Sequence, residues 1–79
     1  MTTDYRPVDC GLHSEYELAI MHASMLRVSW RDSCGAKHTG LLLPTDLYSR
    51  NGEEFMVAQT PSGETLEIRL DRISGYTPA

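Results

Sequence analysis

Apolar residues follow two different periods along the chain, and the change falls near Ser24. Before Ser24 they recur every three or four positions, which places one group on a single stripe of a helix at about 100° per residue. That stripe consists of Leu12, Tyr16, Ala19, Ile20 and Ala23. The pattern predicts a helix over residues 11–24. Pro7 disfavours helix at the residue before it, so residues 1–10 are expected to form an extended arm.

The start of this helix has two candidate caps. Ser14 and Glu17 have the S-x-x-E spacing of a capping box. Asp9 would instead cap an earlier start, and the sequence leaves both open. The side of the helix away from the apolar stripe is partly acidic and partly apolar. It carries Ser14, Glu15, Glu17, Leu18, Met21 and His22.

Apolar and polar residues alternate after Ser24, as expected for strands with one buried face. The predicted strands are MLRVSWRD, AKHTGLLLP, EFMVAQT and TLEIRL, with DRISGY as a short fifth. TDLYSRNGEE is predicted to be a connection, and its Asn51–Gly52 pair is a strong turn signal. The alternation predicts one common core, formed by Leu26, Val28, Trp30, Phe55, Val57, Leu66, Ile68 and Leu70.

One helix followed by five short strands predicts a mostly β domain with one N-terminal α-helix. Residues 25–76 would form a small five-stranded barrel or sandwich, bent at Gly40, with the helix over an open end. Sm-like and SH3-like folds both fit the strand pattern, and the leading helix favours the Sm-like one. The 79 residues leave room for a single domain, 1–79.

Composition and charge narrow the function classes. No apolar run approaches the roughly 20 residues of a membrane span, and the N-terminus lacks the basic start and apolar core of a signal peptide, so we expect a cytoplasmic protein without a membrane partner. The net charge of −4 is concentrated early: residues 1–24 hold four acids and one base, and residues 25–79 hold seven acids and six bases. An acidic N-terminal segment disfavours binding to phosphates and suits a partner with a basic surface. A solvent-exposed helix face that binds no partner gives the same charge pattern.

Residues for catalysis or metal binding are not grouped in the sequence. Cys10 and Cys34 lack the paired spacing of a zinc site, and Cys10 is expected to be buried as a small apolar group. His13, His22 and His38 are scattered, and no nucleophile or phosphate-loop motif is present. We therefore predict no enzymatic activity, no metal and no cofactor.

RNA binding is the main alternative, because small barrels often bind RNA through exposed aromatic rings in basic surroundings. Tyr5, Tyr48 and Tyr76 are candidate stacking residues. The charge near them in the sequence is not positive, so no direct nucleic-acid contact is expected. Binding to some other basic protein is a third reading.

Four segments carry a resemblance to a known family: DYRPVDC, YELA, DLYSRNGEEFMV and GETLEIRLDRI. In this order and spacing they resemble the Rof (YaeO) family of bacterial inhibitors of the termination factor Rho. The similarity runs from Tyr5 to Ile73. It implies an Sm-like barrel that binds the N-terminal RNA-binding domain of Rho, occludes its primary RNA site and so inhibits Rho-dependent termination.

The resemblance also implies which residues contact the partner. Glu17 matches the acid of the family's docking helix, whereas Ser14 stands where the family often has an acid. The sequence leaves open whether the neighbouring Glu15 compensates, because it points about 100° away around the helix. Arg50 matches a polar position of the middle loop, and Asn51 stands where a base occurs in the family. Leu18 and Met21, outside the apolar stripe, are expected to supply an apolar anchor beside these acids.

Overall fold

The structure is a computed structural model that describes residues 10–79, so the predicted arm lies, apart from Cys10, outside the described residues. Five strands follow one helix, as the alternation predicts. The elements in chain order are α1 (Cys10–Met21), β1 (Leu26–Arg31), β2 (Lys37–Arg50), β3 (Glu53–Gln59), β4 (Thr65–Arg69), a 3-10 helix (Leu70–Arg72) and β5 (Ile73–Pro78).

The strands form one antiparallel sheet in the order β4-β3-β2-β1-β5, and α1 packs against β2. This arrangement confirms the predicted fold class, a mostly β, Sm-like domain with one N-terminal helix. The sheet stays open, with β4 and β5 at its two edges, so it is a bent sandwich rather than a closed barrel. The core lies between the bent sheet and α1.

Strand β2 is much longer than predicted, because residues 45–50 continue the strand instead of forming a connection. Its first half pairs with β1 as far as Leu42, and its second half pairs with β3 from Leu43 onward. Pro44 has no N–H group and sits where the partner changes, followed by an irregularity in register before Asp46. A proline is tolerated in a strand at such a bulge. The long strand carries residues 46–50 to the side of α1.

Strand β3 buries the face opposite to the one predicted from the sequence. Met56 and Ala58 are fully buried, whereas Phe55 and Val57 lie on the other face and are half-buried. Both faces of this strand carry apolar residues, so a shift of one residue in the assumed register exchanges the buried face with the other face. The predicted core members Trp30 and Leu66 pack against the core without full burial. The buried core is Tyr16, Ala19, Leu26, Val28, Leu42, Met56, Ala58, Ile68 and Leu70.

The helix differs from the prediction at both ends. It begins at Cys10, so Ser14 lies inside it and the predicted capping box is wrong. Cys10 is exposed, not buried, because the first turn precedes the stripe that packs on the sheet.

The last turn of α1 ends in a Schellman arrangement. The N–H of Ser24 donates to the carbonyl of Ala19 at 2.9 Å, and that of Ala23 donates to Ile20 at 3.2 Å. Ala23 has a φ of 51°, a left-handed conformation that glycine usually supplies. Ala23 is therefore exposed beyond the helix and does not belong to the core stripe.

Candidate partner-binding surface

An open groove of about 460 Å³ lies between α1 and the hairpin formed by β2 and β3. The helix side provides His13, Glu17, Ile20 and Met21. The hairpin side provides Asp46, Leu47, Tyr48 and Ser49 from β2 and Glu54 from β3. Three carboxylates and the exposed side chain of Met21 therefore share one surface, which we call the acidic groove.

His13 bridges the two sides of the acidic groove. Its Nδ1 lies 2.9 Å from Oε1 of Glu17, one helical turn away, and its Nε2 lies 3.0 Å from Oε2 of Glu54. A neutral imidazole carries a single N–H, so both nitrogens donate only in the imidazolium form. The two contacts together tie α1 to β3.

Arg50 and Asn51 lie at the tip of the hairpin beside the groove. Asn51 and Gly52 both have positive φ, 53° and 78°, as a two-residue type I′ turn requires. The guanidinium carbon of Arg50 lies 5.5 Å from the centroid of the Tyr48 ring, a cation–π contact. Tyr48 in turn stacks on Phe55 with centroids 5.2 Å apart. Arg50 is thus held next to a groove residue while staying exposed.

The side chain of Glu15 forms its hydrogen bond with β5, outside the acidic groove. Its carboxylate accepts a 2.6 Å hydrogen bond from the hydroxyl of Tyr76 on β5. This hydrogen bond is the main reason that the pKa of Tyr76 rises to about 12. Burial raises the pKa of Tyr16, whose ring lies 5.3 Å from that of Tyr76, to about 12 as well. Glu15 therefore braces the helix against β5 and does not line the acidic groove.

The structure brings some of the predicted contact residues together and separates others. Glu17 and Met21 line the groove, and Ser14 lines a smaller hollow of about 320 Å³ shared with His13, Glu17 and Glu54. Leu18 is 50% exposed and Met21 is 75% exposed, so both lie outside the core as predicted. Leu18 does not line the groove. The role of these residues in binding remains a prediction.

Sequence reasoning missed His13, Asp46, Tyr48 and Glu54 as groove residues. The i,i+4 spacing of His13 and Glu17 was a visible signal for their contact. Asp46 and Tyr48 were assigned to a connection, and Glu54 to a turn, so nothing in the pattern placed them beside the helix. Only the length of β2 and its register with β3 bring them there.

Neither a metal site nor a membrane span is found in residues 10–79. That part of the chain holds no group of three or more His, Cys, Asp or Glu side chains arranged to bind a metal ion. It also holds no helix long and apolar enough to cross a membrane.

Comparison with known proteins gives two kinds of likeness. The chain is 35% identical over 77 residues to Protein rof of Escherichia coli (strain K12), covering 98% of this chain and 86% of that protein. Protein rof of Shigella flexneri matches with the same identity and coverage. No protein-family model matches the chain.

Among solved structures, the chain is similar to Proteasome accessory factor B/C (PafBC) of Arthrobacter aurescens, with a TM-score of 0.75 and 20% sequence identity. The match covers 98% of this chain and 13% of that one. At this identity the likeness shows the fold alone.

Proposed function

The chain belongs to the Rof family, a family with a role in Rho-related transcription termination, and on that premise we propose that it inhibits Rho-dependent termination. In this proposal the acidic groove docks on the N-terminal RNA-binding domain of Rho and covers its primary RNA site. The protein then acts in the cytoplasm by occupying a surface, with neither catalysis nor a cofactor.

The observation that carries the proposal is the charge of the acidic groove. Glu17, Asp46 and Glu54 come from three different elements and line one concave surface. A site that holds RNA phosphates needs Lys and Arg side chains, and carboxylates form charge-assisted hydrogen bonds with the same groups. A negative groove on this protein is therefore complementary to such a site.

Exposed apolar side chains next to these acids support the same proposal. Met21 lines the groove, and Leu18 lies on α1 outside it, with half of its surface exposed. Single exposed apolar residues are common on protein surfaces. An apolar group inside a charged rim is nevertheless the usual composition of a binding hot spot.

A small RNA-binding module is the alternative function, and the two stacking candidates in residues 10–79, Tyr48 and Tyr76, do not favour it. The hydroxyl of Tyr48 donates to Glu67 at 2.8 Å, and that of Tyr76 donates to Glu15 at 2.6 Å. Each ring that was a candidate for base stacking therefore has a carboxylate at its edge. Negative charge there repels the phosphates that accompany a base.

The proposal is tested by competition between this protein and single-stranded RNA for the N-terminal domain of Rho. Glu17→Lys places a positive charge against a basic site, and we expect it to weaken docking by on the order of 100-fold or more. Glu17→Gln removes the charge without the repulsion and is expected to have an intermediate effect. Glu64→Lys is the matched control, because Glu64 lies in the turn before β4 and does not line the groove.

Two results would contradict the proposal. One is a Glu17→Lys protein that displaces RNA as well as the wild type while melting at the same temperature. The other is an equal loss of docking for Glu17→Lys and Glu64→Lys, which would indicate a general charge effect rather than a docking surface.

A further inference from the structure

A second concave region lies between the β1–β2 turn, the 3-10 helix and the start of β5, with a volume of about 370 Å³. Arg31, Arg69 and Arg72 line it, and Asp71 is the one carboxylate among the described residues that do so. Arg69 is paired with Asp71 through Nε at 2.6 Å and Nη2 at 2.9 Å. Arg69 also lies 3.6 Å from Oε2 of Glu53 through its Nη1, so its charge is fully offset. Arg31 and Arg72 are the two remaining cations of this lining.

Both of these arginines are held by the same turn. Nη1 of Arg31 donates to the carbonyl of Gly35 at 3.3 Å, and Nη1 of Arg72 donates to the carbonyl of Asp32 at 3.0 Å. A guanidinium carries five N–H donors, so one carbonyl contact leaves enough of them for a bidentate contact to an oxyanion. Side chains fixed in this way lose less conformational entropy when they bind a ligand.

A smaller hollow of about 250 Å³ adjoins the first and shares Arg31 and Ser74 with it. Its lining also includes Lys37, Trp30 and His38, and no Asp or Glu is among its described lining residues. The two hollows together are lined by four cationic side chains and one carboxylate. The positive lining is local, because Arg31, Arg72, Trp30 and His38 also line a larger hollow of about 600 Å³ that includes Asp32, Glu53, Glu64 and Glu67.

Aromatic rings form one wall of the smaller hollow. The rings of Trp30 and His38 stack with centroids 5.4 Å apart and an angle of 19° between their planes. His38 is oriented by Asp32, whose Oδ2 lies 2.7 Å from its Nε2, and its side chain is 44% exposed. The Asp32 carboxylate opposes a phosphate at this ring edge, and Arg31 and Lys37 in the same lining offset its charge. A flat ring with an exposed face beside positive charge is what a nucleobase stacks on.

We propose that these two hollows together bind a nucleotide, with its phosphate between Arg31 and Arg72 and its base against the Trp30–His38 stack. The bound nucleotide is either a free mononucleotide or part of a single-stranded RNA, since both offer the same phosphate ester and base. The sequence pointed to tyrosines for stacking, but Trp30 and His38 meet only through the pairing of β1 with β2. The site is separate from the acidic groove and does not rest on the role in termination.

Trp30 is the only tryptophan of the chain, so its fluorescence reports on ligands that bind next to it. The isolated protein is titrated, without Rho, with uridine monophosphate and with a short oligouridylate, and inorganic phosphate is added as a competitor. We expect saturable quenching that weakens as salt rises, because phosphate contacts release counterions. Equal affinities for the two ligands indicate that the site binds a free nucleotide. An affinity at least tenfold higher for the oligomer indicates that it binds single-stranded RNA.

Arg31→Gln combined with Lys37→Gln tests the cationic lining, because both residues are exposed and the variant is expected to fold normally. It should weaken binding at least tenfold. Arg27→Gln is the matched control on the same strand, since Arg27 lines neither hollow, and it should leave the affinity unchanged. The proposal is overturned if neither ligand quenches Trp30, or if the double variant binds as well as the wild type.

Discussion

The hydroxyl of Tyr76 on β5 donates a 2.6 Å hydrogen bond to the carboxylate of Glu15 on α1, joining two residues 61 positions apart. Tyr76→Phe removes this bond while keeping the ring against Tyr16. Since the bond is exposed, we expect the free energy of unfolding to fall by about 1 kcal/mol. Urea unfolding near neutral pH measures the loss.

The same pair predicts a dependence on alkaline pH. The folded pKa of Tyr76 is about 12, raised mainly by its hydrogen bond to Glu15, whereas an unfolded tyrosine titrates near about 10. The stabilisation is therefore fully present below about pH 10 and is lost as the pH rises towards about 12. Tyr76→Phe should lose less stability over this range than the wild type does. Identical alkaline profiles for the two proteins would contradict the assignment.

The face of β3 is tested by two neighbouring substitutions. Met56→Lys puts an unpaired charge into a fully buried site and is expected to unfold the domain. Val57→Lys places the charge on the other face, opposite Glu67 in the register, and should leave the fold intact. Circular dichroism and thermal melts separate the two outcomes. If Met56→Lys stayed folded and Val57→Lys unfolded, the buried face of β3 would be the one predicted from the sequence.

Ala23 offers a stabilising change, because an L-residue in the left-handed region carries a steric cost that glycine avoids. Ala23→Gly is expected to raise the free energy of unfolding by about 0.5–1 kcal/mol, after its higher unfolded-state entropy is subtracted. The same change at Ala19, inside the helix, should lower it by about 1 kcal/mol. If the two substitutions changed the free energy of unfolding in the same direction, the result would argue against the Schellman ending at Ala23.

The helix and all five strands were predictable from the sequence as elements, because apolar residues recur with a helical period before Ser24 and mostly alternate after it. The buried face of β3 was not predictable, since Phe55, Met56, Val57 and Ala58 are consecutive apolar residues and alternation cannot choose between the two faces. β2 was missed beyond Pro44 because proline normally ends a strand. Its bulge and change of partner are tertiary features that no local pattern contains.

The candidate site was predictable only in part, for a related reason. Glu17 and Met21 share one side of α1, so helical geometry alone places them together. Asp46 and Glu54 join them through the register of β2 with β3, a contact between elements distant in sequence. The cationic hollows escaped prediction because local charge counts mix Arg31 and Arg72 with the acids between them.

Within residues 10–79, strand β5 pairs with β1 alone, and it does so across a long stretch of chain, with Leu26 opposite Pro78. Closing so long a loop costs entropy before its contacts compensate, so β5 is expected to dock late in folding and to detach early in unfolding. Through Tyr76 it also braces α1. Helix α1 and β5 should therefore open as one unit, with amide hydrogens that exchange at a common rate and faster than those of β2 and β3. A protease that samples this opening would cleave the unbound protein at α1 first, and an occupied groove would slow the cleavage.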